Sequence, residues 1–125
     1  MQILVVDNDR DTSLSLVRLL RQLGYAAEGC TESSEALEMI ERLRPAVIML
    51  DLAMPTITGL DIAEELQHNP DLRPRLLIAV TGYESAELRA KTRALGFDHY
   101  FLKPLELPRL RGVIETAAAP CDVKK

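Results

Sequence analysis

Four polar side chains stand directly behind apolar runs in this sequence. Asp7 follows "ILVV" (3–6), Asp51 follows "VIML" (47–50), Thr81 follows "LLIAV" (76–80) and Lys103 follows "YFL" (100–102). Carboxylates are oxygen ligands suited to a hard divalent cation, and a carboxylate can also serve as a nucleophile toward phosphorus. An ammonium meets a phosphate as a compact point charge. Gathered on one edge, two carboxylates, a hydroxyl and an ammonium would make a charged site able to hold a cation and an anion together. Each member also has a plainer use. Asp7 and Asp9 suit the cap of a following helix, and Asp51 suits the opening of a turn ahead of Pro55. Thr81 with Glu84 reads as a capping box, and lysines are usually exposed. Four such groups at four strand ends favour one shared site over four local accidents.

A scaffold that ends several strands on one edge must position them. The four apolar runs, with a weaker one at "YAAEGC" (25–30), are continuous rather than alternating, as expected of strands covered on both faces. Helical stripes separate them. Leu16, Val17, Leu20 and Leu23 form the first, closed by Gly24. Ala36, Leu37, Ile40 and Leu43 form the second, stopped by Pro45. Ile62, Ala63 and Leu66 mark the third. Leu88, Ala90, Ala94 and Leu95 mark the fourth, closed by Gly96, and Leu107, Leu110, Ile114 and Ala117 mark the fifth. Five alternations of strand and helix with short connections predict an α/β three-layer sandwich, (βα)5, around a parallel sheet. The second and fifth strands carry the weakest signals, with Glu28 and Gly29 in one and Asp98 and His99 beside the other. They belong at the edges, which gives the flavodoxin-like order 2-1-3-4-5. Ligands of such a sheet bind beyond the carboxyl ends of its strands where the order reverses. That rule brings Asp7 and Asp51 together.

The 125 residues fit one domain, taken as 1–119 with a short tail, 120–125. Apolar residues make up 47% and charged residues 27%, ordinary proportions for a globular chain. No apolar run approaches the roughly 20 residues of a membrane span, and "MQILVV" lacks the features of a secretory leader. A cytoplasmic location with no direct membrane partner is therefore expected. The net charge of −4 and the scattered Lys and Arg disfavour direct nucleic-acid binding. Cys30 and Cys121 have no metal-binding spacing and are expected to be reduced.

The motifs "VVDND", "MLDLAMPTITGLD", "AVTGYES" and "HYFLKP" resemble the receiver domain of two-component response regulators from about Gln2 to Ala118. The resemblance implies that Asp51 is phosphorylated by the phosphohistidine of a sensor histidine kinase or histidine phosphotransfer domain. It implies Mg2+ held by Asp7, Asp51 and the backbone carbonyl of Ala53, with Lys103 and Thr81 contacting the phosphoryl group. Thr81 and Tyr100 become the switch pair, in which Thr81 moves to the phosphoryl oxygen and the ring of Tyr100 fills the space left. The face of the fourth helix, fifth strand and fifth helix is then remodelled, and it is a surface on which receivers form homodimers. The bond from Lys103 to Pro104 is expected to be cis. Ala53 and Tyr83, two residues beyond Asp51 and Thr81, flank the path of attacking water, and Tyr83 has the bulk to shield the acyl phosphate. Such a domain catalyses its own phosphorylation and hydrolysis and is not an enzyme with a diffusible product. The domain fits a free regulator or a receiver belonging to a hybrid kinase, and "TGYES…GFDHYFLKP" resembles the hybrid-kinase type somewhat more.

One position departs from the pattern. Receivers usually carry two adjacent acids after the first strand, whereas this chain has Asp7 and Asn8. An amide oxygen ligates Mg2+ without contributing a full charge, so weakened Mg2+ binding is expected, with Asp9 as a source of compensating charge. Asn8 also gives some support to a phosphorylation-independent pseudo-receiver, which the intact Asp51, Thr81 and Lys103 oppose. A flavodoxin-like FMN domain shares the fold, but "DNDRD" is too acidic for a phosphate loop.

Overall fold

The computed structural model describes residues 2–54 and 57–118; Pro55, Cys121 and the domain boundary at 119 lie outside the described residues. The continuous apolar runs form five parallel strands: β1 (Gln2–Val6), β2 (Ala26–Cys30), β3 (Val47–Asp51), β4 (Leu76–Thr81) and β5 (His99–Leu102). Their order is β2-β1-β3-β4-β5, with the two polar strands at the edges. The helices are α1 (Arg10–Gln22), α2 (Ala36–Leu43), α3 (Gly59–His68), α4 (Ala86–Ala94) and α5 (Leu107–Ala118).

Successive strand residues point to opposite faces, so each unbroken run feeds two cores. Leu4, Val6, Ile48, Leu50, Leu77 and Ala79 pack with Ile40 of α2 and Ile62 and Leu66 of α3. Ile3, Val5, Val47, Met49, Ile78 and Val80 pack with Leu16, Val17 and Leu20 of α1 and Leu110 and Ile114 of α5. Full burial of each large aliphatic chain contributes about 1.5–3 kcal/mol. The alternation also divides β5, with Tyr100 in the first core and Phe101 in the second.

The structure corrects two readings in the region of α4. Thr81 does not cap this helix. It ends β4, and Ser85 is the N-cap, its side chain accepting from the Leu88 amide. Nor do Ala90 and Ala94 face the sheet: both are exposed, and the inward stripe is Leu88, the buried Thr92 and Leu95. Alanine is too small and too good a helix former for its position to report burial. A capping box does occur at α3, where Thr58 accepts from the Asp61 amide and Asp61 accepts from the Thr58 amide. At α1 the cap is Asp9, not Asp7. Leu107, expected on the inner stripe of α5, is 45% exposed.

Candidate functional site

Three of the strand ends close with the same local device. The Asp7 Oδ1 accepts from the Asp9 amide at 2.9 Å, and the Asp51 Oδ1 accepts from the Ala53 amide at 2.9 Å. Thr81 Oγ1 accepts from the Tyr83 amide at 3.2 Å. Short polar side chains that bond the backbone two residues on terminate a strand and turn the chain. Here they also fix the orientation of each group on the sheet's carboxyl rim. The Lys103 amide donates to the Thr81 carbonyl at 2.8 Å, which seats the lysine at the end of β5.

From that seat Lys103 Nζ reaches the second oxygen of both acids, donating to Asp7 Oδ2 at 3.0 Å and to Asp51 Oδ2 at 3.1 Å. Both carboxylates are only 4% exposed. One ammonium shared by two acids leaves one negative charge unbalanced in a poorly solvated place. Burial accordingly pushes the Asp7 carboxyl above its usual range, opposed by the Asp9 amide and Lys103, and the Asp51 charge pushes it further up. Burial works against the Lys103 ammonium, but its bonds to Asp7 and Asp51 outweigh that and hold its pKa above the usual lysine value. The Lys103–Pro104 bond is cis.

Gly59 lets α3 start against this rim. A Cβ there would lie 2.6 Å from the Asp51 carbonyl oxygen and 3.1 Å from its carbon. That close approach gives a physical reason for the glycine eight residues beyond the acid.

The remaining candidates are distributed around this centre. Asn8 is exposed beside Asp7, and Ala53 is exposed beside Asp51. Asp9 accepts from the Asp11 amide and from Thr12 Oγ1 at 2.7 Å, so its carboxylate serves the first turn of α1. It acts on Lys103 only through longer-range attraction. Tyr83 is 69% exposed, whereas Tyr100 is buried and its hydroxyl donates to the Tyr83 carbonyl at 2.6 Å. Thr81 and Tyr100 therefore meet through the backbone of one residue. A groove of about 680 Å3 runs from Asp7, Asp51 and Lys103 along α1 toward Leu107, giving the rim an open approach. Among the described residues no three of His, Cys, Asp and Glu gather as a metal cluster. The donor set is instead two carboxylates, with the exposed Asn8 next to Asp7 in the chain and the exposed Ala53 two positions on from Asp51. It fits a hard cation that takes few protein ligands and keeps several waters.

A family model for the response regulator receiver domain matches residues 3–115. The chain belongs to that family. Response regulator MprA of Mycobacterium leprae is 37% identical over 110 residues, covering 88% of this chain and 47% of that protein. This receiver thus spans about half the length of the curated relatives it matches. Among solved structures, the signal receiver domain of a DNA-binding response regulator from Colwellia psychrerythraea superposes with a TM-score of 0.88 at 25% identity. That match covers 94% of this chain and 98% of the other. A CheY-like receiver domain from Methanospirillum hungatei gives 0.82 at 28% identity, covering 94% and 93%. Receivers of this family work in two-component systems with histidine kinases and generally bind Mg2+ at their acidic pocket. No helix among the described residues of this receiver is long and apolar enough to cross a membrane.

Sequence reasoning missed Arg89 and misassigned Glu84. Glu84, read as half of a capping box, instead grips Arg89 through both carboxylate oxygens. Only the turn between β4 and α4 brings the pair over Tyr100, and no motif marks that turn.

Proposed function

We propose that this receiver accepts a phosphoryl group on Asp51 from a phosphohistidine of a sensor kinase or phosphotransfer domain, and relays the change to the face of α4, β5 and α5. The observation that carries this reading is the double grip of Lys103 on Asp7 and Asp51 at 3.0 and 3.1 Å. Asp51 Oδ1 is held by the Ala53 amide, so Oδ2 is the oxygen free to attack phosphorus once Lys103 shifts. The P–N bond to histidine breaks as the P–O bond to Asp51 forms. Lys103 keeps its bond to Asp7 and turns toward the incoming oxygens, where its charge offsets theirs. Thr81 Oγ1 accepts from the Tyr83 amide, which leaves its own proton to donate to a phosphoryl oxygen.

Asp7, Asp51, the Asn8 amide and the Ala53 carbonyl would hold Mg2+, which when bound supplies positive charge to the phosphoryl oxygens. Asn8 lowers the negative charge available to the ion, so its binding is weakened but retained. Hydrolysis of the acyl phosphate resets the domain without a diffusible product beyond phosphate. A cytoplasmic location for the reaction is part of the same proposal.

Incubation with acetyl phosphate and Mg2+, followed by intact-mass measurement, tests the reading. One added phosphoryl group, absent in Asp51→Ala, is expected. No gain at any Mg2+ concentration would instead identify a phosphorylation-independent interaction domain.

A further inference from the structure

The buried ring of Tyr100 is covered on its outer side by a charged clamp that the phosphoryl chemistry does not use. The Arg89 guanidinium carbon lies 4.3 Å from the ring centroid, within the range in which a cation is attracted to an aromatic face. Arg89 is itself held. Its Nε and Nη2 donate to the two carboxylate oxygens of Glu84 at 2.6 and 2.9 Å, the two-pronged geometry that is strongest for an arginine and a carboxylate. Glu84 lies in the turn between β4 and α4, and Arg89 lies on α4. The pair therefore ties the turn to the helix across the ring.

The same turn is tied twice more. The Tyr83 amide donates to Thr81 Oγ1 and the Tyr83 carbonyl accepts from the Tyr100 hydroxyl. For the ring to swing outward, the hydroxyl must leave Tyr83 and Arg89 must leave the ring face. Because Glu84 grips Arg89, the second movement also disturbs the turn that carries Tyr83. Ring, turn and clamp are thus joined by a continuous set of contacts.

We propose that Arg89, braced by Glu84, is a positioning residue that holds Tyr100 in its buried position and thereby raises the affinity of Asp51 for a phosphoryl group. The second half rests on the phosphoacceptor reading above. A contact that favours one of two coupled conformations must favour whatever ligand selects that conformation. Arg89 touches neither Asp51 nor Lys103 among the described contacts, so any effect on the site passes through Tyr100 and the turn.

The test uses the whole chain carrying 3-fluorotyrosine, whose three tyrosines give three fluorine signals assignable by Tyr→Phe substitution. The ligand is beryllofluoride, a mimic of the phosphoryl group. In Arg89→Ala, the Tyr100 signal is expected to gain the solvent isotope shift of an exposed ring, and the Kd for beryllofluoride to rise about fivefold, the size suited to one exposed cation–ring contact with its ion pair. Glu84→Gln should change both in the same direction by less, and Arg89→Lys should restore part of each. Thermal unfolding should hardly change in any variant, which separates positioning from general destabilisation. An unchanged Tyr100 signal in Arg89→Ala overturns the clamp. A moved signal with unchanged affinity overturns its coupling to the site. If the wild type binds no beryllofluoride, the phosphoacceptor reading fails, while the fluorine signal still decides whether Arg89 holds the ring.

Discussion

The rim of Asp7, Asp51 and Lys103 and the clamp of Glu84, Arg89 and Tyr100 both join charges across different elements, but they are built on opposite terms. At the rim, two acids are 4% exposed and their common partner stands at the end of another strand. The strands are fixed by parallel pairing on both sides of β1 and β3, so the two acids have little room to rearrange. At the clamp, the charged side chains are about half exposed, with 44% for Arg89 and 57% for Glu84. They hang from a turn and the first part of a helix. A buried charge constellation is costly to disturb, whereas an exposed pair is weak and screened by salt. The rigid region suits chemistry that needs fixed distances. The loose one suits a signal, since its contacts can be broken and remade for little free energy.

The largest test of this contrast removes the shared cation. Lys103→Ala leaves two neighbouring carboxylates buried without their partner and is expected to lower stability by about 3 kcal/mol in urea denaturation. A loss no greater than that of an ordinary surface substitution would remove the distinction between the regions. Gly59→Ala comes next. Its Cβ would press on the Asp51 carbonyl, and the backbone shift required should cost about 1–3 kcal/mol, with a weaker hold on Mg2+ as Asp51 is displaced. Calorimetric titration of Mg2+ measures the second effect.

Asn8→Asp sharpens the comparison from the other side by adding negative charge at the rim. Mg2+ should bind about tenfold more tightly, and equal affinity would show that the amide does not weaken the site. The smallest effect belongs to the clamp. The bonds from Arg89 hold the Glu84 carboxyl below the usual glutamate range. A folded-state pKa below the unfolded one means that the stabilisation is present above the ordinary value of 4.5 and is lost as pH falls through the lowered one. Carbon-detected NMR titration should find Glu84 titrating low, and Arg89→Ala should return it to the ordinary range. A Glu84 that already titrates normally would show that the clamp is too loose to hold the ring.

Much of the fold was legible because its strands are continuous apolar runs and most of its helices carry clear stripes. Ile62, Ala63 and Leu66 of α3 were expected inside and are fully buried. The fourth helix was harder to read. Its inner face includes Thr92, which carries no hydrophobic signal, while its alanines point to solvent. The rim was legible for a different reason. A parallel sheet delivers the residue after each run to a single edge, so the order of elements alone placed Asp7 beside Asp51. The plainer uses of Thr81 and Glu84 as a cap could not be rejected on spacing, because the spacing of a capping box was present. Ser85 won the cap when the strand ran on to Thr81.

By itself, the sequence determined the fold class, the strand order and the four groups that gather at the rim. Those properties follow from hydrophobic periodicity and from rules of chain connection, which are local or topological. Only the tertiary structure decided how the charges are shared. It placed Lys103 on both acids at once, turned Asp9 to the helix α1 and set Arg89 over Tyr100. These are outcomes of side-chain geometry across distant segments. Which oxygen accepts which proton depends on angles and distances of a few ångströms that no spacing of letters encodes.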